Sequence, residues 1–219
     1  NTVSGCGLPS EMRMKWPAFT PEWTSRKISD EPVGTLLQGA RKHVWSIMKA
    51  STSLRLLIHA GAWLPLAWII WRFSQGDLTA NPIREIQLET GRTALALLLL
   101  SLACTPVYSA AGFVPVRRSR RTLGLYAFMY AGLHFLNFVG LDYGFNFPQI
   151  MDAVANKRFP LAGLASFLIL VPIAVTSTER LRERLGKNWK RLHRLVYAAA
   201  AIGVIHYVWA AKSQAGTTV

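Results

Sequence analysis

Cysteine is scarce, at 2 in 219 residues. Cys6 lies in a polar leader and Cys104 in an apolar run, so no disulfide framework, zinc site or CxxC redox pair is expected. Acidic residues are few as well: 11 Asp and Glu against 25 Lys and Arg leave a net charge of +14. No GxGxxG follows a strand, and neither a P-loop nor HExxH occurs. A nicotinamide cofactor would need a domain that is missing, so electrons, if they are handled, arrive by another route. The alternation of barrel strands is absent, and no internal repeat is evident. No apolar signal region precedes Val3–Cys6 to make it a lipoprotein cleavage box.

What the chain has is apolar length. It is 51% hydrophobic with 8 Trp, and its cations are confined to the gaps between apolar runs. That confinement argues against a nucleic-acid partner and for a lipid bilayer. Five runs come close to spanning length: Leu54 to Phe73, Thr93 to Phe113, Leu123 to Leu141, Leu161 to Thr176 and Leu195 to Ala211. Backbone groups in lipid must be satisfied internally, so the fold class is all-α, a polytopic transmembrane helix bundle with five spans visible. Pro65, Pro106 and Pro172 are candidate kinks in the first, second and fourth.

Positive charge alternates from gap to gap. Arg41, Lys42, Lys49 and Arg55 precede the first span, and Arg117, Arg118, Arg120 and Arg121 follow the second. Arg180, Arg182, Arg184, Lys187, Lys190, Arg191 and Arg194 surround the start of the fifth. The positive-inside rule puts the N-terminus and both basic loops in the cytoplasm and the C-terminus of five spans in the periplasm. Residues 1–50 read as a polar extension, disordered to about Pro32 and then an interfacial helix from Gly34, with His43 a surface histidine. Residues 51–213 form the membrane domain, and 214–219 a short tail.

Imidazole is costly in hydrocarbon without a partner, so histidines at membrane depth are read first as functional. His193 and His206 bracket the last apolar stretch thirteen residues apart, and His134 lies inside the third. At about 1.5 Å per residue His134 lies about 18 Å and His206 about 20 Å from the cytoplasmic ends of their spans, level toward the outer face. Two level imidazoles on different helices suffice as axial ligands of a b-type haem. The plain alternative is hydrogen bonding between helices. His193 falls at the inner boundary with His59 at a similar level, which makes an inner cofactor site the second candidate. Thirteen residues leave His193 and His206 about 220° apart, so one helix face does not carry both. Arg120 is a candidate to neutralise a haem propionate or flavin phosphate there, or to partner His193, and is equally one of four topology-setting arginines.

Gln87, Glu89, Thr90 and Arg92 cluster at the outer mouth of the second span, suited to a quinone headgroup or a partner protein, or to capping the helix. Trp63, Trp68, Trp71, Tyr126, Tyr130, Tyr197, Tyr207 and Trp209 read mostly as interface anchors, with one or two of them candidates to pack a haem.

Several runs occur together in order: Asn81-Pro82-Ile83-Arg84-Glu85-Ile86-Gln87, Thr90-Gly91-Arg92-Thr93-Ala94-Leu95, Arg118-Ser119-Arg120-Arg121-Thr122-Leu123-Gly124-Leu125, Leu133-His134, Thr176-Ser177-Thr178, and Leu185-Gly186-Lys187-Asn188-Trp189-Lys190-Arg191-Leu192-His193 through His206-Tyr207. From Leu54 to Lys212 the chain resembles the MsrQ (YedZ) family, haem-binding membrane subunits of bacterial methionine-sulfoxide reductase systems within the ferric-reductase-like transmembrane group. Members usually have six membrane helices and lack the polar leader. The resemblance implies an inner-membrane electron carrier of a Gram-negative bacterium that binds haem b and FMN. It would pass electrons from the quinone pool or a cytoplasmic flavin reductase to the periplasmic molybdenum enzyme MsrP, which repairs oxidised methionines in envelope proteins. The matching haem histidines are His134 and His206, with His193 a further candidate ligand to haem iron; no sulfoxide-reducing catalytic residue is expected in this subunit. The alternatives are a stand-alone quinol or ferric reductase and a non-redox transporter or scaffold subunit.

Overall fold

Apolar runs separated by basic gaps become helices because a helix alone satisfies its own backbone in lipid. The computed structural model describes residues 33–78, 80–112 and 114–215, with the backbone alone described at 33–40, 42–51, 214 and 215. The disorder expected to Pro32, Cys6 and the end of the tail from residue 216 lie outside the described residues, as does the side chain of His43. The chain divides into Asn1–His43 and Val44–Val219. The described part of the first unit is helical.

The helices in order are α1 (Val33–Gln75), α2 (Pro82–Ala111), α3 (Val114–Leu136), α4 (Phe147–Asn156), α5 (Arg158–Val175), α6 (Glu179–Leu185) and α7 (Lys187–Ala215). A π-helical segment, Asn137–Asp142, prolongs α3. Among the described residues five helices are long and apolar enough to cross a membrane: Thr52–Gln75, Pro82–Ala111, Val114–Asp142, Arg158–Val175 and Lys187–Ser213. These are the five expected spans. The protein is a multi-pass membrane protein. The second span starts earlier than hydropathy suggested because Asn81 caps α2, accepting from the Arg84 amide, with Pro82 at the first helical position. Glu89 therefore lies well inside the helix and caps nothing. The two gaps read as loops contain α4 and α6; Ile150 and Ala153 bury one face of α4.

Two antiparallel hairpins form the body, α2 on α3 and α5 on α7. Gly112, at φ 66°, closes α2 in the left-handed conformation that lets α3 return within two residues. Each hairpin is sewn by one serine. Ser101 donates to the Arg120 carbonyl at 2.9 Å, and Ser166 to the Ala199 carbonyl at 2.9 Å. Small residues let these helices approach: Ala127, Ala199 and Ala200 are buried with Leu97, Leu98, Tyr130 and Leu170.

α1 is held differently, by polar clasps. Tyr130, 0% exposed, donates its hydroxyl to the Ala62 carbonyl at 2.6 Å and accepts from the Leu66 amide at 3.2 Å. It thus inserts into the i to i−4 ladder of α1 beside Pro65, whose missing N–H already weakens that turn. One turn away Tyr126 Oη meets His59 Nδ1 at 2.7 Å and accepts from Trp63 Nε1 at 3.1 Å. Arg72 pairs with Glu85 of α2. The reading of Tyr126 and Tyr130 as interface anchors is corrected here: both join α1 to α3.

Candidate metal centre

His134 near the end of α3 and His206 on α7 come together from different hairpins. Their ring centroids lie 6.0 Å apart with planes at 81°, as the matching depths required. Each ring is fixed in the same way. His134 Nδ1 donates to the Gln87 carbonyl of α2 at 2.9 Å; His206 Nδ1 donates to the Phe159 carbonyl of α5 at 2.7 Å. A carbonyl only accepts, so the proton sits on Nδ1 and the lone pair on Nε2, the nitrogen able to ligate. A carbonyl behind a ligating imidazole also raises its basicity.

One turn beyond each carbonyl is a glycine against the ring. A Cβ on Gly91 would lie 2.8 Å from His134 Cε1, and one on Gly163 would lie 2.9 Å from His206 Cε1. Any other residue would push the imidazole aside. The absence of a repeat, as the sequence was read, is corrected by this geometry. Carbonyl and ring are 47 residues apart in both hairpins. Gln87, Gly91, Leu98, Ala127 and His134 recur 72 positions later as Phe159, Gly163, Leu170, Ala199 and His206.

Between the hairpins lies a mainly apolar cavity of about 300 Å³, lined by both histidines, Gly91, Gly163, Phe135 and Phe167 among others. The size falls at the lower end for cofactor pockets. Ile150, Met151 and Val154 of α4 contribute to its wall. Phe135 and Phe167 stack at 4.9 Å. The 6.0 Å between ring centroids is comparable with that of two imidazoles sharing one metal at about 2 Å from a nitrogen of each ring. Among the described residues no group of three or more His, Cys, Asp or Glu that could hold a metal occurs. Two imidazoles therefore suit a metal whose other ligands come with it, as a porphyrin's do, and the residues fit a haem.

The other candidate residues lie apart from this pair. His193 stacks on Trp189 at 4.0 Å, with Nδ1 3.2 Å from the Trp189 carbonyl. Its Nε2 is buried without a hydrogen-bond partner. Trp189 is itself held by Nε1 donating to the Thr176 carbonyl at 3.0 Å, so the Thr176-Ser177-Thr178 run anchors this end. Arg120 donates to Thr105 Oγ1 at 2.9 Å. His59 is engaged by Tyr126 of α3. The Gln87 carbonyl and side chain both contact His134, the side chain at 3.2 Å from Nε2. Thr90 bonds back to the Ile86 carbonyl at 2.6 Å, and Glu89 pairs with Arg92 at 3.8 Å on the surface.

The family model described as ferric reductase like transmembrane component matches residues 90–204. The protein-methionine-sulfoxide reductase heme-binding subunit MsrQ of Xanthomonas axonopodis pv. citri is 40% identical over 174 residues, 75% of this chain and 80% of the relative. The subunit of the same name from Rhodospirillum rubrum is 42% identical over 170 residues, 77% of this chain and 82% of the relative. That of Salmonella newport is 36% identical over 166 residues, 75% and 83%. No solved structure matches the chain.

Proposed function

The chain belongs to the MsrQ family of ferric-reductase-like membrane proteins, and from that premise we propose that it carries electrons across the bacterial inner membrane through a haem b held by His134 and His206. The observation that carries this reading is the convergence of the two imidazoles, 6.0 Å apart, from separate hairpins. Haem, when bound, supplies a one-electron couple. The chain's own part is to orient the two rings through the Gln87 and Phe159 carbonyls, to make room for them at Gly91 and Gly163, and to surround them with apolar side chains. An apolar, carbonyl-backed site tunes potential and keeps water out.

With the basic loops in the cytoplasm, the histidine pair lies toward the periplasm, where an MsrP-like molybdoenzyme is the acceptor and oxidised methionine the final substrate. The basic end is the electron-receiving end. His193, whose Nε2 has no partner, and Arg120 are the residues proposed for an inner cofactor, FMN or a second haem. Its electrons come from the quinone pool or a flavin reductase. His59 joins the seam with Tyr126 through Nδ1. No residue here is assigned to sulfoxide chemistry.

The test is a reduced-minus-oxidised spectrum of the detergent-purified chain with haem quantified. A b-type signal is expected in the wild type, and the His134→Ala/His206→Ala double variant is expected to lose the haem of this site. A wild type that stays colourless when haem is supplied during expression, or a double variant with full haem, overturns the reading. Reoxidation of the reduced protein is expected to require added MsrP. Equal reoxidation by ferric chelate or quinone alone would instead favour a stand-alone reductase.

A further inference from the structure

The two imidazoles share their carbonyl and glycine supports but not their Nε2 environments. At the position where the second hairpin has Phe159, the first has Gln87, and the Gln87 amide lies 3.2 Å from His134 Nε2. His134 Nδ1 holds its proton for the Gln87 carbonyl, so Nε2 accepts and the Gln87 NH2 donates. Asn137 fixes that orientation. Its NH2 donates to Gln87 Oε1 at 2.5 Å and to the Ile83 carbonyl at 3.1 Å. Turning the Asn137 amide over would set oxygen against two oxygens. Asn137 is buried, on the first turn of the π-helical segment, and its Oδ1 has no partner. A buried amide that leaves its own oxygen unsatisfied in order to aim a neighbour is costly unless the aim is used. His206 has no counterpart: the residue 72 positions after Asn137 is Trp209.

We propose that Gln87, aimed by Asn137, competes with the metal for His134 Nε2 and makes His134 the exchangeable axial ligand, with His206 the permanent one. The proposal rests on the haem reading above. Were His134 to leave a bound metal, its Nε2 would regain the Gln87 hydrogen bond, and a small neutral ligand would be able to take its place. The exchange breaks one metal–imidazole bond, forms one metal–ligand bond and transfers no electron.

Carbon monoxide is the probe, titrated into the dithionite-reduced, haem-loaded full chain. The wild type is expected to bind it. Gln87→Leu removes the competing donor, so CO affinity is expected to fall by about fivefold or more, the scale of one lost hydrogen bond. Gln87→Glu keeps an acceptor for Asn137 and loses the donor, so it is expected to shift in the same direction, and it decides the matter should Gln87→Leu fail to fold. His134→Ala is expected to keep haem in a form that binds CO at every site, whereas His206→Ala loses haem. A coloured wild type that takes no CO, unchanged affinity in both Gln87 variants, or haem retained by His206→Ala and lost by His134→Ala overturns the proposal. A colourless wild type brings down the haem reading itself, and this inference with it.

Discussion

The α2/α3 and α5/α7 hairpins agree where they face each other and differ in what surrounds that plane. Each offers a carbonyl, a glycine one turn on, and a histidine 47 residues beyond the carbonyl. Away from that plane the first hairpin carries Gln87 and Asn137 and is clasped by α1. The second carries Phe159, is joined through α6 and packs against α4. At the basic end the thirteen-residue spacing that leads to His206 starts at His193, while the same spacing leading to His134 starts at Arg121. Arg121 is an exposed side chain paired with Glu179. The shared part is what two level axial imidazoles need; the unshared parts make the halves chemically unequal.

The strongest break of this comparison is to fill the glycines one at a time. Gly163→Val sets a branched side chain where even a Cβ comes within 2.9 Å of His206 and is expected to abolish haem binding. Gly91→Val crowds His134 equally but is expected to leave a CO-binding fraction, since His134 is the exchangeable ligand. Haem per chain and the CO difference spectrum read both. Equal, complete loss would mean that the two supports matter alike.

His193→Ala separates the two ends. Its orphaned Nε2 lies away from the paired rings, so the His134/His206 signal is expected to persist, while reduction by a quinol or reduced flavin slows markedly in stopped-flow traces. Loss of the whole b-type signal would tie His193 to the outer site. Tyr130→Phe then tests the unequal clasping of the hairpins. It removes a hydroxyl bonded at once to Ala62 and Leu66, and about 1 kcal/mol is expected from unfolding in detergent, the α1 ladder reclosing in part. A loss of several kcal/mol would mean that α1 detaches.

Much of this was legible in the residues. Five apolar runs and alternating charge point to five spans, and a rise of about 1.5 Å per residue places His134 and His206 level. The repeat was hidden because its key atoms are backbone carbonyls. A carbonyl is the same group on Gln87 and on Phe159, so no side-chain pattern records it. Gly91 stood in a conspicuous Thr-Gly-Arg run, but its partner ring is 43 positions away and no local rule connects them. Tyr130 looked like an interface anchor because burial against another helix leaves no signature in one span's composition. α4 was missed since its 10 residues are too few for a span and sit in a gap read as loop.

The smallest test asks whether the likeness of the hairpins extends to their energetics. Ser101 and Ser166 each donate at 2.9 Å to a carbonyl of the opposing helix, and a glycine faces each serine: Gly124 would place a Cβ 3.3 Å from Ser101 Oγ, and Gly203 one 3.5 Å from Ser166 Oγ. These bonds are not in the 72-residue register of the haem supports: they lie at different heights, and each holds helix to helix, Ser166 also lining the cavity. Interhelical hydrogen bonds within membranes contribute about 0.6 kcal/mol. Ser101→Ala and Ser166→Ala are therefore each expected to cost about that much in detergent unfolding, with haem content unchanged, and to add in the double variant, since they lie in separate hairpins. A cost in haem from Ser166→Ala alone would mean that the second hairpin positions its histidine through α7 packing, as well as through the Phe159 carbonyl, and the mechanical equivalence of the halves would end at the ring itself.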